Sequence, residues 1–214
     1  MGKIVPIVEG DGEVTAVPIL LHKILQELGE CRFQVANPKN AHGCGNLKKV
    51  GGIEKFVRYA WLEPNCAAVI IIVDGDEANG CPITLARDFV KRVELLNGRH
   101  PVAIVIANQE YEAWFLASLP SIVGKEITEY LQFPSDSVFE GDPEGLRGVK
   151  GWITRQLPRG KAYKETDHQA PMTRLIDLTL ARSQSRSFRR ICHAVEELLF
   201  SVASGAKGVT PQIE

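Results

Sequence analysis

Long apolar runs are missing from this chain. The longest covers residues 67–73, whereas a helix crossing a bilayer needs about 20 such residues, so no membrane segment is expected. An excess of either charge is missing too. Lys and Arg number 25 against 26 Asp and Glu, a formal net charge of -1. The chain is therefore no wholesale binder of polyanions, although a local basic face is left open. Cysteine is sparse, with five residues and no CxxC pair, which argues against a disulfide or zinc framework and fits reduced thiols in a cytoplasmic protein. The opening Met1-Gly2-Lys3 leads into a strand-like stretch ending at Glu9, too brief for a signal peptide. Repeats and low-complexity blocks are also lacking. What remains is an ordinary globular composition, 44% hydrophobic and 24% charged over 214 residues. That is enough for one good-sized domain, or one with an extension.

The apolar pattern predicts a short buried strand over 3–8, interrupted by Pro6, which lacks a ladder donor and can be absorbed by a bulge. Helical spacing follows over 14–28 through Val17, Leu20, Leu21, Ile24 and Leu25, closed by Gly29. A second strand is expected over 32–36, a Gly/Asn/Lys loop over 37–52, a helix over 53–62 and a β-branched strand over 67–73 that ends at Asp74. A helix over 82–96, a strand over 102–107 and a helix beginning at Glu110 complete the alternation. Strands and helices in turn indicate a parallel α/β sheet flanked by helices. After about residue 120 the pattern holds no convincing strand, only two helices over 143–157 and 184–203. The expected division is therefore an α/β core over 1–120 and a helical, basic extension over 121–214, packed on that core.

The acids acquire meaning from this map. Parallel sheets bind ligands beyond the carboxyl ends of their strands. Glu9 ends the first strand, Asp74 and Asp76 end the long β-branched one, and Glu110 and Glu112 follow the strand over 102–107. Glu13 lies one helical turn beyond Glu9. A lone acid after a strand is usually solvated or caps a helix. Carboxylates delivered by three strand ends to one edge repel one another unless cations bind them, and hard oxygen donors suit Mg²⁺ or Mn²⁺. Competing motifs fail. Gly10 and Gly12 start a GxGxxG pattern but Thr15 stands at its third glycine, no GK[ST] follows, and Ala78 breaks an EF-hand reading of Asp74 and Asp76.

Val8-Glu9-Gly10 followed by Asp74-Gly75-Asp76 resembles the Toprim domain of topoisomerases, primases and nucleases of the overcoming-lysogenization-defect (OLD) type, over about the first 120 residues. The stretches Glu110-Tyr111-Glu112-Ala113-Trp114, Lys161-Ala162-Tyr163-Lys164 and Arg182-Ser183-Gln184-Ser185-Arg186-Ser187-Phe188-Arg189 extend the resemblance to the bacterial Toprim-like family DUF4276 over nearly the whole chain. The resemblance implies a Toprim-like fold and Mg²⁺-dependent phosphodiester hydrolysis, in phage defence or on a mobile element. It implies catalytic Glu9, Asp74 and Asp76, with Glu13, Glu110 and Glu112 completing the metal ligands. It also implies a partner ATPase. Two ions so held would clamp the attacking and leaving oxygens at phosphorus.

A nuclease must also hold a polyanion. Residues 147–164 carry Arg147, Lys150, Arg155, Arg159, Lys161 and Lys164 with no acid among them, and Arg182, Arg186, Arg189 and Arg190 follow among serines. Such stretches suit phosphate contacts, which position a nucleic acid without reading its sequence. Lys161, Lys164, Arg182, Arg186 and Arg189 are the expected phosphate-binding set. Tyr163 and Trp152 are read either as base-stacking platforms or as anchors of the extension. The expected function is a Mg²⁺-dependent Toprim nuclease acting on DNA or RNA. The competing expectation is a catalytically weak module that binds nucleic acid or nucleotide as a subunit of an ATPase-containing complex.

Overall fold

A computed structural model describes residues 1–75 and 81–211. In chain order it runs β1 (Gly2–Val8), α1 (Asp11–Glu27), β2 (Phe33–Val35), β3 (Lys39–Asn40), α2 (Cys44–Lys48), α3 (Gly52–Trp61), β4 (Cys66–Asp74), α4 (Pro82–Glu94) and β5 (Val102–Ala107). There follow α5 (Ala113–Ala117), α6 (Leu119–Ile122), β6 (Glu126–Thr128), β7 (Leu131–Gln132) and α7 (Val149–Gln156). A π-helical turn (Glu165–Gln169), α8 (Ala170–Leu175), α9 (Leu178–Gln184), α10 (Arg186–Ser204) and β8 (Val209–Thr210) complete it.

The main sheet has the order β2-β1-β4-β5-β8, with β3 also paired to β1, and every pairing is parallel. The long strand β4 shows why it is buried on both faces. Ala68, Ile70 and Ile72 point into one hydrophobic cluster, with α1, α5 and α10. Val69, Ile71 and Val73 point into the other, with α3 and α4. Successive side chains alternate across a strand, so a continuous β-branched run fills both layers at once. Each fully buried aliphatic side chain contributes about 1.5–3 kcal/mol, and this double burial holds the end of β4 in place. The parallel sheet flanked by helices, with a C-terminal helix, is the fold class expected from the sequence.

Pro6 is accommodated differently from the expected bulge. It pairs in register with Ile70, and the irregularity in the β1–β4 ladder lies between Lys3 and Ile4. On its other side, the Ile4 and Val8 carbonyls accept from Ala36 and Ala41 N–H groups. Backbone groups alternate in direction along a strand, so Pro6 faces that same side, between the end of β2 at Val35 and the start of β3 at Lys39. The missing donor falls in a gap between two short strands.

Three further differences follow from local geometry. The loop expected over 37–52 contains β3 and α2, set off by left-handed backbone at His42 and Gly51. The helix expected from Glu110 starts at Ala113 and is short. Strands also occur beyond residue 120: β6 and β7 form an antiparallel pair, and β8 adds to the edge of the main sheet beside β5. Elements of two or three residues have too little periodicity to stand out in a sequence. Two helices after residue 120 match the expected stretches, α10 running one residue past its own, while the π-turn, α8 and most of α9 fall outside them. The first, α7, opens after Gly148 at φ 70°, and the second, α10, is capped by the Ser185 hydroxyl accepting from Phe188 N–H at 2.9 Å.

Trp114 joins α5 to α10. Its fully buried indole donates to Ser187 Oγ at 2.8 Å and meets Phe188 edge-on, with ring centroids 5.6 Å apart. Trp114→Ala is expected to destabilise the fold by about 3–5 kcal/mol, and Ser187→Ala by about 1–3 kcal/mol because the buried indole N–H loses its acceptor. Urea unfolding followed by circular dichroism checks both; equal losses would assign the indole's contribution to its hydrogen bond rather than to packing.

Candidate active site

The strand order reverses between β1 and β4: the chain leaves β1 for β2 and β3 on one side, and returns to β4 on the other. The crevice beyond the strand ends at such a point is the usual ligand site of a parallel sheet. Glu9 follows β1 and Asp74 ends β4, and the two are joined directly: Glu9 Oε2 accepts the Asp74 backbone N–H at 3.1 Å. Both line a cavity of about 360 Å³, together with Glu13, Lys150, Glu165 and Gln169.

The remaining carboxylates are each committed to a particular partner. Glu13, at the third position of α1, accepts the N–H groups of Glu9 at 2.7 Å and Gly10 at 3.0 Å. It thereby caps the helix start and fixes the turn that carries Glu9. Asp74 Oδ1 accepts Tyr111 N–H at 2.8 Å, tying β4 to the segment after β5. Glu112 is fully buried, and its Oε1 accepts from the Tyr163 hydroxyl at 2.8 Å and Gln169 Nε2 at 3.1 Å. Glu110 turns elsewhere: its Oε2 accepts Lys150 N–H at 3.3 Å, at the start of α7, and it does not line the cavity. Asp76 lies outside the described residues.

Among the described residues, Lys150 is the cation that serves this group. Lys150 Nζ is 2.6 Å from Glu165 Oε1, 3.9 Å from Glu112 Oε2 and 4.0 Å from Asp74 Oδ2. Burial alone would lower its pKa, but the carboxylates of Glu112, Glu165 and Asp74 outweigh burial and raise it, so the ammonium stays charged. The π-turn bearing Glu165 and Gln169 lies against the start of α1. A Cβ on Gly12 would come within 2.5 Å of Gln169 Oε1 and 2.9 Å of Glu165 Cβ, so only glycine permits this approach.

The basic residues expected to hold phosphate are dispersed. Lys161 is exposed, and Lys164 is 3.8 Å from Asp167. Arg182 pairs with Glu27 at 2.5 Å, and Arg189 Nη1 donates to the Arg182 carbonyl at 2.6 Å, at the end of α9. Arg186 lines a different cavity. Lys150, Tyr163, Glu165 and Gln169 enter the site or its support through long-range packing, and no spacing in the sequence marks them as a set.

Among the described residues, no three His, Cys, Asp or Glu side chains form a ready metal-binding group. The hydrogen bonds above explain this, since Glu13 and Glu110 face backbone donors and Lys150 stands among the other acids. The donor chemistry nevertheless suits a hard cation. Glu9 and Asp74 line one cavity, and the buried Oε2 of Glu112 and Oε1 of Gln169 have no hydrogen-bond partner. No helix among the described residues is long and apolar enough to cross a membrane.

Burial and the neighbouring acids push Asp74 well above the usual carboxylate range. Burial likewise takes Glu112 up to about 7 and Glu13 up to about 8, against an ordinary value of 4.5. A carboxyl with a raised folded pKa contributes its full stability below the ordinary value and loses it as pH rises through the raised one. The melting temperature without metal should therefore fall from about pH 5 to about pH 8. Asp74→Asn should raise it at the upper end and flatten the slope, while Lys150→Ala should lower it. Thermal melts in chelator across this range check all three, and a rising profile would contradict the assignment of the buried acids.

Three comparisons bear on these observations. The chain matches the family described as a domain of unknown function, DUF4276, over residues 8–196. No curated protein matches it in sequence. Among solved structures it is similar to the C-terminal region of the Burkholderia pseudomallei OLD protein, at 14% identity and a TM-score of 0.42, covering 94% of this chain and 99% of that one. The family match takes in both the strand-end acids and the segment that brings Lys150 to them, and the protein belongs to the DUF4276 family.

Proposed function

We propose that this protein is a Mg²⁺-dependent nuclease of the Toprim type, hydrolysing phosphodiester bonds in nucleic acid. The observation that carries the reading is the direct link between Glu9 and Asp74 across the switch point, with Lys150 facing the same cavity. Glu9 and Asp74, with Asp76, would hold Mg²⁺ or Mn²⁺. The bound ion would supply charge neutralisation at phosphorus. Glu13 and Glu112 stand behind these ligands: Glu13 fixes the Glu9 turn, and Glu112 anchors Tyr163 and Gln169. The Lys150 ammonium can neutralise a non-bridging phosphate oxygen at the cavity wall. Lys161 and Lys164, just before the π-turn that bears Glu165, would meet the nucleic-acid backbone. In this reading residues 1–120 are the catalytic core, and residues 121–214 form an extension that supplies the lysines. In this reading the protein acts in the cytoplasm, as its few cysteines, with no CxxC pair, suggest.

One observation favours a second reading. Lys150 already partners Asp74, Glu112 and Glu165, and this internal neutralisation suits a weakly catalytic module that binds nucleic acid for a partner ATPase. Purified protein incubated with Mg²⁺ or Mn²⁺ and plasmid, single-stranded DNA or tRNA separates the two. The nuclease reading expects cleavage that chelator abolishes and that Asp74→Asn, Glu9→Gln and Lys150→Ala each reduce by about 100-fold or more. Cleavage surviving Asp74→Asn, or nucleic-acid binding without cleavage on any substrate, would sink it.

A further inference from the structure

A second cavity, of about 540 Å³, lies between α4 and the start of α10 and shares no lining residue with the acid cleft. Its wall is aliphatic, with Ile83 from α4 and Ile104 and Ile106 from β5. The pairing of β8 with β5 involves Val102 and Ala103, so β8 ends short of Ile106, which is half-buried, while Ile104 is buried. Three arginines stand on the rim: Arg87, Arg186 and Arg190.

Their states differ. Arg190 is fixed by Glu197 at 2.7 Å and by the Thr210 hydroxyl, and its buried Nε has no partner. Arg87 and Arg186 are exposed and make no side-chain hydrogen bond or ion pair among the described residues. The carboxylate on the rim, Glu144, is turned onto the first turn of α10, where its Oε1 accepts the Ser185 hydroxyl at 2.6 Å and Ser187 N–H at 2.7 Å. Among the described residues, two uncompensated guanidinium groups against one committed carboxylate leave the rim electropositive beside an apolar wall.

That combination selects a ligand. A guanidinium fork matches two phosphate oxygens and can also lie flat on an aromatic face. Inorganic phosphate would leave the isoleucine wall uncovered, and an uncharged aromatic would leave the arginines unmet. The volume falls within the roughly 300–1,000 Å³ of small-molecule sites. We propose that this cavity binds a nucleoside 5′-monophosphate unit, with its phosphate on Arg87 and Arg186 and its base against Ile83 and Ile106. The unit comes from a free nucleotide or from the 5′-phosphorylated end of a strand. The site is separate from the acid cleft and does not depend on the nuclease reading.

Calorimetric titration of the full chain in chelator, with AMP, adenosine and inorganic phosphate, tests it. AMP should bind about tenfold or more tightly than adenosine or phosphate alone, and the double variant Arg87→Ala/Arg186→Ala should weaken AMP by about tenfold or more with its melting temperature unchanged. Adenine dinucleotides with and without a 5′-phosphate identify the source. Tighter binding of the phosphorylated dinucleotide than of AMP assigns strand ends, the reverse order assigns free nucleotide, and either carries the proposal. Equal binding of AMP and adenosine would overturn it, as would AMP affinity unchanged in the double variant. AMP binding lost in Asp74→Asn but kept in the double variant would put the nucleotide in the acid cleft and overturn it too.

Discussion

Carboxylates brought to the end of a buried parallel sheet repel one another, and the packing around this edge answers that repulsion. Asp74 and Glu112 descend from β4 and from the segment after β5, and both are held close to Lys150. Unpaired charge in a protein interior is costly, and the cost is relieved by a partner or by taking up a proton. Lys150 supplies the partner, while burial, with a smaller contribution from neighbouring acids, holds Glu13 and Glu112 above the usual carboxylate range. A site with carboxylates buried in this way gains more from a divalent cation than a neutral surface would, because the ion offsets the cost of keeping them charged away from water.

The second half of the chain is built around this edge. Lys150 stands in the first turn of α7, whose start is held by Glu110 accepting its backbone N–H. Tyr163, just before the π-turn, and Gln169, at its end, both donate to Glu112. Tyr111 reaches back through its hydroxyl to Thr173 in α8 at 3.0 Å, while its backbone N–H binds Asp74. Removing the later helices would thus expose apolar surface and also strip the acids of their cation and their hydrogen-bond donors.

The acids at strand ends were legible because a seven-residue apolar run terminating in Asp-Gly-Asp fixes both the strand and the direction in which it empties. What each carboxylate does there was not legible. Glu13 and Glu110 belong to the expected ligand set by residue type, yet both accept backbone N–H groups at helix starts, and such geometry depends on where a helix begins to within one residue. The arginines after residue 180 illustrate the same limit. Arg182 and Arg189 fall in a basic, serine-rich stretch, but the tight corner between α9 and α10 turns one onto Glu27 and the other onto the carbonyls ending α9. Tyr163 had two readings, and its hydrogen bond to Glu112 makes it an anchor.

Two glycines show how closely this edge is drawn together. Gly12 is needed for proximity rather than for an unusual backbone angle, because the π-turn with Glu165 and Gln169 occupies the space its Cβ would take. Gly75 does the same on the other side of Asp74. Its N–H donates to the carbonyls of Ala107 at 2.8 Å and Gln109 at 2.9 Å, and a Cβ there would stand 2.8 Å from the Ala107 oxygen. The Gly-Asp-Gly-Glu after Glu9 and the glycine between Asp74 and Asp76 therefore carry information beyond flexibility. Gly12 marks where the π-turn must approach the start of α1, and Gly75 where backbone from β4 and β5 must come within contact for Asp74 to reach the Tyr111 N–H. A side chain at Gly12 would push the π-turn off α1, and one at Gly75 would push the ends of β4 and β5 apart, so the cavity would lose its shape before any carboxylate lost its charge.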